Sequence, residues 1–427
     1  MAHSTTLDTW IEDSTERRKA LPELATARFL PLLLIGTVLV AATGLWWHFN
    51  QSDGMGRFWR AYLTSLTYFT SISLGGLFFV VVSHLTGAHW GVVVRRIAEF
   101  ITMGIAVCAV MWIPIWVSLL SGDHSLYSWN APGVTDRMAP NYDVLIHGKS
   151  AYLNAPFFVG RSIFLFAVWF LIAWYYFRSS VAQDEASDNR PMAGVRRWSG
   201  LAMLVFALTL SFGAFDWLMS LEPHWFSTMF GVYYFAGSAV AIFAVLALVS
   251  YLLQLRGILT RTVTAEHYHD MGKLLFGFVV FWGYIAFSQF MLIWYADIPE
   301  ETIWYDNRQP EGSNLTGIST SIALLFVFHF FIPFLGLLSR HVRRHRGAMA
   351  FWGLYLLVVH WFDLFYIAGL MPQADGHLGW SLGVTELLTA LGLGLVYVGV
   401  ILWFAAGRWL VPIRDPRLAR SLDFENV

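Results

Sequence analysis

Apolar residues along this chain come in long runs that are broken only by short polar stretches. A helix needs about 20 such residues to cross about 30 Å of hydrocarbon. Ten runs of about that length or more fall at about 29–48, 60–83, 92–120, 153–177, 198–222, 228–254, 274–296, 316–339, 347–371 and 381–407. The pattern therefore predicts an all-α integral membrane protein with about ten transmembrane helices.

The same pattern argues against a β-barrel and against a soluble fold. Barrel strands would be about 10 residues long and would alternate apolar with polar side chains. The stretch 239–253 (AVAIFAVLALVSYLL) shows no alternation. The chain is 57% hydrophobic and 13% charged, whereas soluble domains are about 25% charged.

The distribution of lysine and arginine predicts the orientation of the helices. One side of the predicted bundle, together with both ends of the chain, carries 21 of these residues, the other side carries 5, and Arg161 lies within a run. Since lysine and arginine concentrate in cytoplasmic loops, we expect both termini to be cytoplasmic. The predicted organisation is a cytoplasmic tail at 1–28, a membrane domain at 29–407 and a second cytoplasmic tail at 408–427.

The termini and the cysteine content narrow the class of protein further. The first 28 residues mix acidic with basic side chains, so a cleavable signal peptide is not predicted. Cys108 is the only cysteine and lies in an apolar run. This excludes a disulfide framework, a cysteine-ligated iron–sulfur cluster and a CxxCH haem site within the chain. We therefore expect no cysteine-based cofactor site within the chain.

Two loops on the outer side are long, at about 121–152 and 297–315, and both are rich in aromatic and turn residues. The second is also acidic. Long loops on a membrane bundle usually dock a partner or cover a site. An exposed loop without a partner is the alternative.

Ionisable residues inside the runs are candidates for function, because a charge in the bilayer core is costly unless it is paired or solvated. Near the inner end of the third run, Glu99 follows Arg95 by four residues, on the same helical face, and also follows Arg96. The favoured interpretation is an interfacial ion pair with arginines that extend to the membrane surface.

At mid-depth, His329 and His360 each lie about 13 residues from the start of their runs, so we expect them at similar height. Asp363 is three residues after His360 and on the same face, where it can orient that ring or exchange a proton with it. An imidazole bonded to a serine or a carbonyl between helices is an alternative of equal weight.

Toward the outer side, Arg161 and Asp216 come at comparable depth on helices joined by one loop, so we predict that they form a pair. Glu386 lies at a similar level in the tenth run, and Glu222 and His224 occupy the turn after the fifth. A purely structural ion pair is weighed equally with a functional one.

The second run supplies hydroxyl groups rather than charge. Thr64, Thr67, Tyr68 and Ser71 share one helical face, and interhelical hydrogen bonding is favoured over proton transfer for them. Ionisable groups at three depths favour proton movement or a coupled conformational switch over passive anchoring. The predicted proton path comprises Glu99, Arg161, Asp216, Glu222, His224, His329, His360, Asp363 and Glu386.

Three stretches of the sequence carry a family resemblance: 215–238 (FDWLMSLEPHWFSTMFGVYYFAGS), 269–302 (HDMGKLLFGFVVFWGYIAFSQFMLIWYADIPEET) and 345–370 (HRGAMAFWGLYLLVVHWFDLFYIAGL). They resemble the membrane subunits of the NrfD-like, or polysulfide-reductase membrane-subunit, family. Within that family the likeness is to the F subunit of the bacterial alternative complex III. The resemblance covers most of the chain, about 30–410.

The resemblance implies ten helices, arranged as two four-helix bundles with two extra helices, in the bacterial cell inner membrane. It implies a respiratory complex that oxidises a membrane quinol, menaquinol or ubiquinol. The iron–sulfur clusters and c-type haems are expected in partner subunits, and this subunit has no redox centre and contributes to proton translocation. The expected partners are a sister NrfD-like subunit, an iron–sulfur protein, c-type cytochrome subunits, lipids and a terminal oxidase, but not nucleic acid.

Other functions stay open at this stage. His360 and Asp363 suit quinol binding by this chain, with the imidazole taking the proton. The long outer loops suit a scaffold that anchors soluble redox subunits. A b-type haem held by His329 and His360 is the weakest option. A substrate transporter is not favoured, because Pro114 and Pro333 do not form a pair of corresponding helix breaks.

Overall fold

The computed structural model describes residues 20–50, 55–308, 320–372 and 377–426, with side chains from residue 28 onward. It is 76% helical with almost no strand. Within the described residues, ten helices are long and apolar enough to cross a membrane. The all-α, multi-pass prediction is therefore confirmed at this level.

The ten long helices are α1 Ala20–Asn50, α2 Gly56–Leu85, α3 Val92–Leu120, α4 Ala155–Gln183, α5 Arg190–Trp217, α6 Phe230–Leu255, α7 Ala265–Ala296, α8 Thr320–Leu337, α9 Arg346–Gly369 and α10 Val384–Ala405. We call the end of the bundle where α1 begins and α10 ends the inner end, and the opposite end the outer end.

Short elements join or interrupt these helices. The connecting helices are Ser128–Asn130, Val144–Lys149, Met219–Leu221, Pro299–Asp306, Arg340–Arg344 and Leu418–Leu422. The strands β1 Met371–Pro372 and β2 Leu378–Gly379 pair antiparallel, with Met371 opposite Gly379. Two π-helical segments, Phe326–Phe331 in α8 and Phe365–Gly369 in α9, widen the helical turn.

Helix α7 begins well before its apolar run, at Ala265 rather than near 274. Thr264 caps it through a reciprocal arrangement with the side chain of His267. The capping bonds satisfy backbone N–H groups that a helix start otherwise leaves open. Hydropathy alone missed this polar first turn, because it is stabilised by capping rather than by apolar burial.

Helix α2 lies at the centre of the bundle, in contact with α3, α4, α5, α6, α9 and α10. Further contacts join α3 to α4 and α4 to α5, and on the other side α6 to α7 and α9, α7 to α8, and α8 to α9. Close approach of α2 to α6 requires Gly75, where an added Cβ would lie 2.1 Å from the carbonyl oxygen of Ser238. Small residues at such crossings let backbones approach, as is usual in membrane bundles.

The loop 121–152 folds back onto the outer end instead of extending from it. Tyr127 is buried, and its hydroxyl donates to the carbonyl of Trp217 at 3.0 Å. Lys149 donates to the carbonyl of Pro223 at 2.6 Å. Of the loop 297–315, residues 309–315 lie outside the described part, and the rest forms mainly the helix Pro299–Asp306.

The C-terminal segment 408–426 packs against the inner end of the bundle. Asp415 accepts a hydrogen bond from Arg95 at 2.5 Å, and Ser421 donates to the carbonyl of Trp90 at 2.9 Å. Arg417 donates to the backbone carbonyls of Ser83, in the last turn of α2, and of Ala88, just after it. The segment that the charge pattern assigns to a tail thus closes the inner end of the helices; residues 1–19 of the N-terminal tail lie outside the described part.

Asp415 gives this contact a pH dependence. Burial alone would raise the pKa of its carboxyl, but the guanidinium groups of Arg95 and Arg417 outweigh burial and lower the pKa to about 2. The ordinary value is about 3.9. The ionised carboxylate therefore stabilises the fold above about pH 4, and that contribution is lost as the pH falls toward the lowered pKa.

Asp415→Asn should lower the thermal midpoint of the purified protein at neutral pH, because it removes one of the two carboxylates that pair with the buried Arg95 and the carboxylate that pairs with the partly exposed Arg417. The difference from the unsubstituted protein should shrink below about pH 4. Asp188→Asn is the matched control, since Asp188 pairs with Arg190 at an exposed site where ion pairs contribute little. Equal thermal midpoints for the two variants at neutral pH would show that Asp415 does not stabilise the inner end of the bundle.

Candidate functional site

Among the carboxylates of the predicted proton path, Glu99 lies nearest the inner end, and it is fixed between two arginines. Its oxygens lie 3.1 Å from Arg95 Nε and 2.9 Å from Arg96 Nε. Arg96 also pairs with Asp184 at 2.8 Å. Both arginines are 0% exposed, so the interpretation that they extend to the surface is wrong. They are held inside because Glu99, Asp184 and Asp415 neutralise them.

The predicted pair of Arg161 and Asp216 is confirmed. Arg161 donates to both carboxylate oxygens of Asp216, at 2.9 and 3.0 Å. The hydroxyl of Tyr152 donates to the same carboxylate at 2.9 Å, and its ring lies 3.7 Å from the guanidinium carbon. A bidentate pair with this support fixes the position of the Asp216 carboxylate.

Glu386 has an arginine of its own, Arg57 at the start of α2. Arg57 donates to its two oxygens at 2.8 and 3.1 Å, and the backbone N–H of Gly383 donates at 2.8 Å. The sequence places Arg57 on the outer side but gives it no partner. Glu386 and Asp216 lie at similar depth but are not in contact, because α10 packs on α1 and α2 rather than on α5.

Glu222 and His224 belong to the outer rim. Glu222 lies 3.7 Å from Arg308, whose guanidinium stacks on Trp304 with its carbon 3.9 Å from the ring centre. His224 Nε2 lies 2.6 Å from a carboxylate oxygen of Asp143, and both side chains are partly exposed. A hydrogen bond from the N–H of Ile146 is the main cause that lowers the pKa of Asp143, and the His224 contact adds to it.

Asp363 also lies inside a long helix, but its surroundings differ from those of Glu99, Asp216 and Glu386. Tyr233 donates to its Oδ1, and Trp282 Nε1 donates to its Oδ2 at 3.2 Å. The Nδ1 atoms of His329 and His360 each lie 3.8 Å from Oδ2. Within the part of the chain that the structure describes, no lysine or arginine pairs with this carboxylate.

The two imidazoles come from helices that the sequence correctly places at one height. The ring centres of His329 and His360 are 6.1 Å apart. Ser71 Oγ lies 2.9 Å from His360 Nε2, so ligation of a haem iron through that nitrogen would break this contact. Together these residues form what we call the Asp363 cluster: Asp363, His329, His360, Tyr233, Trp282 and Ser71.

Local backbone features position the Asp363 cluster. His329 lies within the π-helical segment of α8, and the π-helical segment of α9 begins two residues after Asp363. π-Helical turns are rare and occur frequently at functional sites. Gly237 of α6 leaves room for His360, since an added Cβ would lie 2.5 Å from the ring.

The remaining hydroxyls of α2 mostly bond within the helix. Thr64 and Thr67 donate to the carbonyls four residues earlier, at 2.8 and 2.7 Å. The prediction of hydrogen bonds between helices is therefore wrong for these two hydroxyls, which form hydrogen bonds within α2 instead. Two of the four predicted residues contact His360 of α9: Ser71 through a hydrogen bond and Tyr68 through its ring, whose centre lies 5.6 Å from that of the imidazole.

The carboxyl and the two imidazoles of the Asp363 cluster are buried. His329, His360 and Asp363 are each at most 1% exposed. An unpaired carboxylate in such a medium is strongly disfavoured. Glu99, Asp216 and Glu386 are paired with arginines, whereas Asp363 is surrounded by hydrogen-bond donors and imidazoles.

A cavity of about 350 Å³ adjoins the Asp363 cluster on the outer side. Tyr233 and Trp282 belong to both, and most of the remaining lining is aromatic or aliphatic. The hydroxyl of Tyr366, also in the lining, is buried without a hydrogen-bond partner among the described residues. The sequence analysis considered ionisable residues as candidates, so it did not predict Tyr233, Trp282 or Tyr366. In the sequence these residues look like ordinary core aromatics.

The described residues contain no group of three or more His, Cys, Asp or Glu side chains arranged to hold a metal ion. Comparison with known proteins adds no constraint, since the sequence matches no family model and no curated protein. The resemblance to the NrfD-like family therefore stays a prediction from the sequence.

Asparagine substitutions should distinguish, by their effect on stability, a buried carboxylate that is paired with an arginine from one that is not. Asp216→Asn leaves Arg161 charged and unpaired, which we expect to cost about 3 kcal/mol of stability. Asp363→Asn should cost clearly less, because the amide can accept from Trp282 and donate to the Tyr233 oxygen, and no arginine loses a partner. Thermal unfolding in detergent measures both. An equal or larger loss for Asp363→Asn would show that this carboxylate is held ionised.

Proposed function

We propose that this chain is a membrane subunit of a quinol-oxidising respiratory complex of the alternative complex III type, in the bacterial inner membrane. It has no redox centre of its own and takes up and releases protons at the Asp363 cluster while partner subunits oxidise the quinol. The observation that carries the proposal is a buried carboxylate faced by two imidazoles at 3.8 Å instead of by an arginine.

The family resemblance and the geometry converge on the same place. The three stretches that carry the resemblance supply Tyr233, Trp282, and His360 with Asp363. These side chains come from three separate helices and meet around one carboxylate. The helix contacts within α2–α5 and within α6–α9 support the two four-helix bundles that the resemblance implies, with α1 and α10 as the extra helices.

The chemistry of the Asp363 cluster suits a proton that changes position. Carboxylate and imidazole have ordinary pKa values on either side of weakly acidic pH, and their closeness lets one proton move between them with little change in net charge. Tyr233 and Ser71 bear hydroxyls on two sides of the cluster, and such groups can both accept and donate a proton. A conformational change in a partner subunit that alters these contacts would shift the proton.

Only part of the predicted proton path carries protons in this proposal. Glu99, Asp216 and Glu386 are each held by at least one arginine, so we assign them a structural role. His224 and Glu222 lie at the outer rim, with partners of their own. The residues left as proton carriers are Asp363, His329 and His360.

Asp363→Asn in the assembled complex should leave quinol oxidation measurable but lower the number of protons translocated per electron. The reason is that an amide cannot take up the proton that the carboxylate shares with the imidazoles. Proton release by the complex in sealed vesicles, measured with a pH-sensitive dye during quinol oxidation, reports this ratio. Asp188→Asn, at an exposed site, is the control, and an unchanged ratio in an assembled Asp363→Asn complex would refute the proposal.

Quinol binding by this chain is a second candidate, favoured by the cavity of about 350 Å³ beside the Asp363 cluster. Ligand sites commonly have about 300–1,000 Å³, apolar walls and a few polar groups. Here the buried Tyr366 hydroxyl is without a partner among the described residues, and Gln289 adds a polar group to the wall. A quinol in this cavity would have Tyr233 between itself and Asp363.

Ala286→Trp should decide between the candidates, because the indole would fill the cavity that Ala286 lines. If the cavity holds quinol, photolabelling of this chain by an azidoquinone and the rate of quinol oxidation both fall at least tenfold. Ala207→Trp places the same ring on an exposed face of α5 and should change neither. Loss of neither property in Ala286→Trp would exclude quinol binding here and leave the proton-carrying role untouched.

A further inference from the structure

An open apolar groove of about 870 Å³ runs between α8 and α9 on the outside of the bundle. Its walls are mostly aliphatic and aromatic, and Leu324, Leu354 and Val358 expose about half of their side chains along it. On α9 the lining extends from Phe351 to Phe362. At 1.5 Å per residue that is about 16 Å, which is comparable with the length of an extended fatty acyl chain.

The groove has an identifiable structural cause. Near the inner end the two helices touch closely, since a Cβ on Gly336 would lie 1.8 Å from the ring of Trp352. Farther out, the π-helical segment of α8 widens the turn, and the hydroxyl of Tyr355 donates to the carbonyl of Phe328 at 2.9 Å. Trp380 donates to Ser321 at 2.7 Å near the outer end. Contacts therefore hold α8 in place near its inner and outer ends, and the apolar groove lies between these contacts.

Positive charge collects at the inner end of this groove. The segment 340–346 (RHVRRHR) contains four arginines and no acidic residue. Arg344 is neutralised by Glu266. No ion pair is recorded for Arg340, Arg343 or Arg346 among the described residues, and Arg340 and Arg346 are exposed. Arg346 begins α9, five residues before Phe351, so these charges lie about 8 Å along the helix axis from the groove.

We propose that this surface binds an anionic phospholipid, with its phosphate at Arg340 and Arg346 and an acyl chain in the α8–α9 groove. The apolar hollow and the excess of positive charge at its inner mouth match the two ends of such a lipid. Basic residues next to a membrane helix attract anionic lipid by about 1 kcal/mol each. A transmembrane helix of a partner subunit would fill the hollow but would not require the charge.

Native mass spectrometry with phosphatidylglycerol tests the charged end of the site. The double variant Arg340→Gln and Arg346→Gln should bind this lipid about 30-fold more weakly than the unsubstituted chain. The matched control is Arg197→Gln with Arg256→Gln, which removes two exposed arginines at the inner ends of other helices and should have little effect. Equal weakening in both double variants would mean only general attraction by positive charge, and would overturn the proposal.

Two further variants test the groove. Val358→Trp should displace the acyl chain and lower phosphatidylglycerol binding at least tenfold, whereas Val110→Trp, on an exposed face of α3, should not. A photoreactive amino acid at position 358 should crosslink phospholipid in the assembled complex. Crosslinking to a protein subunit without lipid would assign the groove to a partner helix and contradict the proposal.

Discussion

A carboxylate inside a helix bundle is stable only beside a cation or as the neutral acid, because the low-dielectric interior does not solvate its charge. Arginines supply the cation for Glu99, Asp216 and Glu386. Asp363 instead faces the imidazoles of His329 and His360. The same physical constraint thus accounts for the arginine pairs of these three carboxylates and, in the proposed function, for a site of variable protonation at Asp363.

The architecture supports this distinction. The central helix α2 brings Ser71 to His360, α6 contributes Tyr233 and the space at Gly237, and α7 contributes Trp282. The paired carboxylates lie where helices or the C-terminal segment join one another, so their ion pairs hold the bundle together. The Asp363 cluster lies where α8 and α9 change from regular α-helix to π-helical turns.

The sequence predicts much of this fold and part of the site. Long apolar runs predict ten helices, and depth along the helices predicts the pairing of Arg161 with Asp216 and the shared height of His329 and His360. Depth cannot predict which helices are neighbours, so Glu386 is found with Arg57 rather than near Asp216. Charge also gives no signal for Tyr233 or Trp282, whose roles depend on contacts between distant parts of the chain, nor for the π-helical turns.

The central claim is that the carboxyl of Asp363 changes its protonation state while that of Asp216 does not. Infrared difference spectroscopy detects this directly, because a protonated carboxyl has a C=O stretching band that the carboxylate lacks. On acidification of the purified protein, we expect a carboxyl band that is absent from Asp363→Asn and is retained in Asp216→Asn. A band that persists in Asp363→Asn and disappears in Asp216→Asn would contradict the account.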